Sequence, residues 1–345
     1  MSQNIYCKPV LKINDVEIQH IESVKFSDRG NNQLQTLNVT ISEPDLENSS
    51  LFNAKVEFYL NYGSSDGCPI FRGFVKDFNP SSTKITINAI DVRTLISGAN
   101  SFPIVIDDKK NYDGQTITAF LLDVLNLINS DFIKSTTLND IDKPVYMTDV
   151  RTTSPPYDIA SEVLKTAIDE DNLLKPRSYE FDVVHLSQHS SLKIIKQKQL
   201  TSAPSQHFSY HDGIINCSYK DRVSPSFAIT QTTNGEQVIF ELGNAPKGKV
   251  GLKVDAKFES RGEAKEALIS QLMAVQDTEK DITLKVSKGF YTNIGDIIKI
   301  NVEDDNLNGA YRVTSKSIDF KSNAIDCTLQ VNKKPIIVSD YILAA

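Results

Sequence analysis

At 345 residues with 40% hydrophobic and 23% charged content, the chain has the makeup of a folded protein long enough for two to four compact units. A formal net charge of -7 argues against a protein that grips nucleic acid by its phosphates, because that needs a basic face. An acidic surface is still compatible with DNA that passes nearby without sticking. Cys7, Cys68, Cys217 and Cys327 are scattered without a CxxC pair, so free thiols in a reducing cytoplasm are expected rather than a zinc site or disulfide framework. The start, MSQNIYCKPVLKI, lacks a basic-then-apolar signal, and no apolar run approaches membrane-spanning length. The expectation is a soluble product made in the cytoplasm.

Residues 9 to 97 read as successive short strands: VLKIND, VEIQHIESVKFSD, LQTLNVTISE, KVEFYLNYG, FRGFVKDF and KITINAID. Asn14-Asp15, Asp28-Arg29-Gly30 and a glycine- and serine-rich stretch from Gly63 to Gly67 punctuate them as turns. Leu37, Val39 and Ile41 alternate with Asn38 and Thr40, the period of a strand with one buried face. Strands this closely spaced, without helices between them, predict a small antiparallel barrel over 1–99.

An α/β segment is expected over 100–215. Ile117, Phe120, Leu121, Val124, Leu125 and Ile128 recur at helical spacing. A second helix starts at the prolines of SPPYDIASEVLKTAIDEDN, with Ile159, Val163, Leu164 and Ala167 on one stripe. YEFDVVHLSQHSSLKIIKQ then predicts two strands joined by a polar turn. Strands return over 216–335, a second barrel-like region interrupted by one helix, GEAKEALISQLMAVQ, whose stripe is Ala264, Ala267, Leu268, Leu272 and Val275. Residues 336–345 form an apolar tail.

One pattern occurs twice. FRGFVKDF followed by KITINAI is echoed by YRVTSKSIDF followed by AIDCTLQV. Each has an aromatic-Arg start, Phe71-Arg72 or Tyr311-Arg312, and an Asp-Phe close, Asp77-Phe78 or Asp319-Phe320. With the strands before them, KVEFYLNYG and DIIKINV, the matched order predicts a duplicated barrel. The fold class expected is mainly β (α+β): two similar small antiparallel β-barrels with an inserted α/β segment.

Residues with catalytic or metal-binding potential are few. SSLK, residues 190 to 193, fits SxxK only formally, in a strand-like run without companion motifs. His185 and His189, and His207 and His211, stand four apart, which on a helix allows two imidazoles to share a metal. In strand or loop contexts the same spacing separates them by roughly 13 Å. Asp304, Asn306, Asn308 and Gly309 imitate the start of a calcium loop, but position twelve is Ser315 rather than glutamate, and a hairpin turn accounts for those residues. No GxSxG, HExxH, P-loop or GxGxxG occurs, so neither an enzyme nor a cofactor is expected. A carbohydrate-binding module is disfavoured, because Trp is absent and the tyrosines are dispersed.

The order of these elements, particularly GDIIKINV with Gly295-Asp296 followed by GAYRV, resembles the baseplate (tail) hub proteins of contractile-tailed bacteriophages. Late-control proteins and the hub part of type VI secretion spikes belong to the same group. The resemblance covers nearly the whole chain. It implies a homotrimer forming a hollow ring, in which paired barrels let three chains imitate six and join a sixfold tail tube to a threefold central spike. Implied partners are the tail tube or a tube-completing protein, the spike and other baseplate proteins, with DNA passing through unbound and no membrane insertion. The implied location is the virion tail, assembled in the host cytoplasm. Another tail ring component, distal or tube-completing, is the alternative. Unlike type VI spike proteins, the chain has no β-helical needle repeat before Ala345, so the spike is expected to be a separate polypeptide. Ile336, Ile337, Tyr341, Ile342 and Leu343 either pack on their own domain or dock against the spike or a neighbouring subunit.

Overall fold

A computed structural model describes residues 9–30, 33–42, 51–60, 67–97, 115–128, 132–134, 155–166, 179–196, 198, 200–221, 225–241, 251–258, 260–276, 280–303, 307–321 and 324–333. The fold is mainly β with a few helices, built on curled, half-barrel antiparallel sheet. The chain divides into two compact units: Met1–Val163 with Glu180–Lys196 and Lys316–Cys327, and Leu164–Tyr179 with Gln197–Ser315 and Thr328–Ala345.

The first unit opens with β1 (Val10–Ile13), β2 (Val16–Glu17), β3 (Ile21–Arg29), β4 (Thr36–Ser42), β5 (Lys55–Tyr59), β6 (Phe71–Pro80) and β7 (Lys84–Asp91). Asn14 and Asp15 both take positive φ, 49° and 67°, as the tight turn between β1 and β2 requires. Every second residue of β4 and β7 is buried, and Leu37, Val39, Ile41, Ile85, Ile87 and Ala89 pack the core. That is the alternation read from LNVTI. After β7 come α1 (Ile117–Ile128), β8 (Ile133–Lys134), α2 (Pro156–Thr166), β9 (Tyr179–His185) and β10 (Ser190–Lys196).

All six apolar residues expected on one face of α1 are buried. On α2 Leu164 is buried as expected, but Ile159 is not. Tyr157, Ala160 and Leu164 are buried while Ile159 is half-buried, because the aromatic ring at the helix start is the larger group to remove from water. The side chain of Val163, and Ala167, lie outside the described residues.

The second unit contains β11 (Gln206–Ser209), β12 (Ile214–Asp221), β13 (Phe227–Thr232), β14 (Gln237–Glu241), β15 (Gly251–Phe258), α3 (Arg261–Gln276), β16 (Lys280–Val286) and β17 (Ile297–Asn301). The closing hairpin is β18 (Gly309–Lys321) and β19 (Ala324–Asn332). β18 begins in the second unit and ends in the first, and β19 does the reverse. Strands β14, β13 and β15 make their own sheet, on which Ala264, Leu268 and Leu272 of α3 pack against Ala228, Val238, Val254 and Phe258.

The repeat seen in the sequence extends to the strand order. The first unit runs β3-β4-β7-β6-β5-β1, and the second runs β12-β16-β19-β18-β17-β11. In both, the first five take the same chain order, with β13–β15 and α3 inserted between the first two strands of the second set. Registers agree as well: Phe58 faces Phe71 and Glu57 faces Arg72, while Ile298 faces Tyr311 and Ile297 faces Arg312. The copies differ at the last strand, since β1 is antiparallel to β5 and β11 is parallel to β17.

Candidate functional site

On β5 and the start of β6 both sheet faces are covered. Phe58, Phe71 and Val56 look into the core, and Glu57 and Arg72 lie on the opposite face, yet all five are buried. What covers that second face comes from the α1–β10 insertion. Phe132 meets Phe74 edge-to-face, centroids 5.3 Å apart, and its ring also receives the Lys55 ammonium at 5.4 Å.

Arg72, wholly buried, is the main tie. Its Nε donates to Glu57 Oε1 at 2.6 Å, and Nη2 donates to the carbonyls of Leu186 and Ser187 at 2.9 and 3.1 Å. Nη1 donates to Ser190 Oγ at 3.4 Å. The guanidinium fork thus joins one β-hairpin to the β9–β10 turn more than a hundred residues away, and its geometry suits several oxygens at once. Tyr59 donates its hydroxyl to Glu57 Oε2 at 3.0 Å, and burial, with the Glu57 carboxylate beside it, pushes that phenol up to about 12. In the second unit Arg312 Nη2 donates to the Lys198 carbonyl at 2.5 Å. The recurrent aromatic-Arg pair is therefore a repeated device: the aromatic ring fills the core and the arginine captures a backbone segment from elsewhere.

A directional hydrogen-bond chain continues from Arg72. Ser190 Oγ lies 2.8 Å from His185 Nδ1, and His185 Nε2 lies 3.2 Å from Gln35 Oε1. Gln35 Nε2 donates to Asp28 Oδ2 at 3.0 Å, which leaves its Oε1 as acceptor and assigns the imidazole proton to Nε2. Gln35 also donates its backbone N–H to Asp91 Oδ2 at 2.5 Å. Asp91 in turn accepts from the backbone N–H of Arg93 and from its guanidinium, and Arg93 Nη1 donates to the Tyr157 hydroxyl at 3.2 Å. Burial, the largest single influence, would lower the Arg93 guanidinium, but Asp91, Tyr157 and Asp28 together offset it and hold that group well above its usual value. Burial raises Asp28, against the pull of Lys316 and Arg93.

His185 is held down to about 3, first by burial and then by Arg72, Arg93 and Lys316, with Asp91 opposing. The folded protein therefore keeps this imidazole neutral in a pH range where the unfolded chain, with its pKa near 6.5, takes up a proton. Its contribution is fully present above about pH 6.5 and is lost as pH falls toward 3, by up to about 1.4 kcal/mol per pH unit. Asp28, raised by burial, acts with the opposite sign, its contribution lost as pH rises. Denaturant titrations from pH 7 to 4 should show a steeper loss for the natural protein than for His185→Gln. Parallel pH dependences would contradict the assignment.

Two residues that the sequence flagged separately, Ser190 of SSLK and His185 of HLSQH, are thus neighbours. Their pairing resembles a nucleophile and its base, but Ser190 is 0% exposed and also accepts from Arg72, so no substrate reaches it. His189 sits in the β9–β10 turn, its carbonyl accepting from Leu186 N–H, and His207 and His211 are exposed on β11 and in the following turn. Among the described residues no group of three or more His, Cys, Asp or Glu could hold a metal ion. Asp304 to Asn306 and the tail residues Ile336, Ile337, Tyr341, Ile342 and Leu343 lie outside the described residues. Asn308 Oδ1 accepts from Val302 N–H at 2.6 Å, the backbone role of a turn residue. Sequence reasoning missed Glu57, Gln35, Asp91 and Arg93. A signal was present in two of them: Glu57 and Asp91 interrupt or end apolar alternations where a carboxylate needs a partner.

The rest of that sheet face, away from the insertion, is not buried. There β3, β4, β7 and β6 align Lys25, Asn38, Asn88 and Asp77 in one cross-strand row, and Ser23, Thr40, Thr86 and Asn79 in the next. Asn38 donates to Asn88 and Asn88 to Asp77, so the amides form a ladder.

No family model matches the chain, and no curated protein matches its sequence. Solved structures do. The 43 kDa tail protein of prophage MuSo2 from Shewanella oneidensis has a TM-score of 0.68 at 12% identity, covering 96% of this chain and 100% of that one. A tail protein from Neisseria meningitidis MC58 gives 0.66 at 9% identity, covering 96% and 97%. An E. coli type VI secretion component, itself structurally similar to the T4 tail proteins gp27 and gp5, gives 0.54 at 9% identity, covering 96% and 77%. The chain has the fold of phage and prophage tail proteins, a fold shared with a type VI secretion component.

Proposed function

We propose that the protein is a structural baseplate hub of a contractile phage-type tail. In this role three copies close into a hollow ring that joins a sixfold tail tube to a threefold spike and lets DNA pass. The observation that carries the proposal is the repeated strand order, β3-β4-β7-β6-β5 and β12-β16-β19-β18-β17, with an arginine at the same register in each. A cyclic trimer of a duplicated unit presents six near-equivalent surfaces, which is what a threefold-to-sixfold adaptor needs. The full length of the shared fold with tail proteins supports the same role. Ile336, Ile337, Tyr341, Ile342 and Leu343 then serve as a docking segment for the spike or a neighbouring subunit.

Solution mass and negative-stain microscopy of the purified protein test this, alone and truncated after Lys334. A threefold mass with a hollow ring is expected for both, with spike binding lost only in the truncated form. A sixfold ring would favour a distal or tube-completing tail protein instead. A monomer that stays monomeric with its tail partners present would overturn the hub proposal, and a truncated chain that cannot fold would return the tail to its own domain's core.

A further inference from the structure

We infer that the turns entering β5 and β17 each hold out one aromatic side chain, Phe52 and Tyr291, as a docking knob. The two are equivalent contacts for a sixfold partner that offers a shallow apolar socket at each of its six positions. The inference rests on the ring proposed above and adds to it which side chains meet the sixfold body and what chemistry receives them.

A single exposed apolar residue on a folded domain is ordinary. Phe52 stands apart in degree: it is 78% exposed, more than any other large apolar residue among those described. It is also firmly placed. Leu51 before it and Ala54 after it are buried, Ala54 N–H donates to the Leu51 carbonyl at 3.2 Å, and Asn53 completes the turn at a φ of 53°. β6 fastens the turn from the side, with Val75 N–H donating to the Ala54 carbonyl at 2.9 Å. An aromatic ring held out on so fixed a turn loses little freedom when it docks.

The second unit repeats the arrangement. β17 is the counterpart of β5 by strand order and by the arginine opposite it. The chain entering β17 reads Phe290-Tyr291-Thr292-Asn293 where the chain entering β5 reads Leu51-Phe52-Asn53. Phe290 and Thr292 are buried, Tyr291 is 44% exposed, and Asn293 is exposed as Asn53 is. Thr292 N–H donates to the carbonyl of Gly289, itself at a φ of 88°, at 3.0 Å. From β18, the counterpart of β6, Val313 N–H donates to the Asp296 carbonyl at 2.9 Å. The buried member of each pair, Leu51 or Phe290, serves the core. The exposed ring beside it adds little there, yet both copies carry one at the same entry.

Two knobs per chain, at the same end of equivalent hairpins, become six in a trimer, three of each kind. A threefold partner has no need of both in the same form, whereas a sixfold partner meets six near-equivalent points. The socket follows from the pair it must receive. It takes a phenyl and a phenol alike, so it is apolar, and it is shallow enough for the Tyr291 hydroxyl to keep its water. An asparagine near each ring, Asn53 or Asn293, sets an amide donor and acceptor at the rim for the partner's backbone.

The probe is tail tubes purified from the same tail, titrated with the full-length protein. Four variants are compared with it: Phe52→Ser, Tyr291→Ser, both together, and the exchange Phe52→Tyr/Tyr291→Phe. All should form the ring, since neither side chain fills a core. Each single change removes three of six contacts and should weaken tube binding by at least about 30-fold, the loss of an aromatic hot spot. The double serine variant should show no binding, and the exchange should retain it, because the sockets do not tell the rings apart. Undiminished binding by the double variant, or a loss confined to one of the two positions, would overturn the inference and leave the hub proposal standing. A double variant that no longer forms the ring would place the aromatic groups between subunits and overturn it as well. If the natural protein forms no ring, the hub proposal has failed and the inference falls with it.

Discussion

Replacing Arg72 with alanine should destabilise the first unit by about 3 kcal/mol, the cost of taking from a buried carboxylate the nearer of its two cations and leaving it only Lys55 at 3.3 Å. The loss is more than one ion pair. Arg72 holds Glu57, the carbonyls of Leu186 and Ser187, and Ser190 Oγ, so its removal leaves four oxygens without that donor. Glu57→Gln retains an oxygen for Arg72 Nε and should cost only about 1–2 kcal/mol, in the range of a charged hydrogen bond made neutral. The two variants also differ in where they act. Arg72→Ala should speed hydrogen exchange through the β9–β10 turn, Leu186 to Ser190, which Glu57→Gln should leave protected. Equal losses and equal exchange would mean that the ion pair, and not the fork's capture of backbone, is what Arg72 provides.

Gly73→Ala should be as severe, about 3 kcal/mol or more, because there is no room for one methyl group. A Cβ at Gly73 would lie 2.0 Å from the Ile90 carbonyl oxygen and 2.8 Å from Asp91 Cα, both backbone atoms of the paired strand. Relief requires β6 and β7 to part where Gly73 pairs with Asp91, the carboxylate that holds Gln35 and Arg93. Overpacking of this kind commonly costs about 1–3 kcal/mol when side chains can yield, and more when backbone must. In the second unit the residue after the paired arginine is Val313, buried and accommodated. The constraint therefore comes from β7's approach and not from the hairpin itself. Gly262→Ala is the control: the nearest atom to its Cβ is 4.0 Å away, at the start of α3, and the change should stabilise by up to about 1 kcal/mol. Thermal melts of both variants check the opposite signs.

How much of this was legible in advance depends on the range of the interaction. The alternation in β4 and β7 and the spacing in α1 each come from a single element meeting a single core, so their buried faces could be read directly. The burial of Tyr157 on α2 was not legible, because its hydroxyl is held by a distant arginine, Arg93, which no helical period encodes. The polar ties were less visible still. Gln35, Arg72 and the His185–Ser190 hairpin lie far apart in the chain, and each residue taken alone is an ordinary surface residue type.

From sequence alone followed the β-rich class, the positions of most strands and three helices, the doubling of one hairpin and the resemblance to tail hubs. Those features are set by local periodicity, by turn residues and by an internal echo, all of which are properties of neighbours along the chain. Tertiary structure alone decided that β11 runs parallel to β17 where β1 runs antiparallel to β5, and that the closing hairpin belongs partly to each unit. It also decided which half of one sheet face is covered by the α1–β10 insertion and which half stays open. Strand partners and covering layers are chosen by burial of apolar area and by satisfaction of buried polar groups over long separations. A strand's own period records that one face must be hidden, but not what hides it.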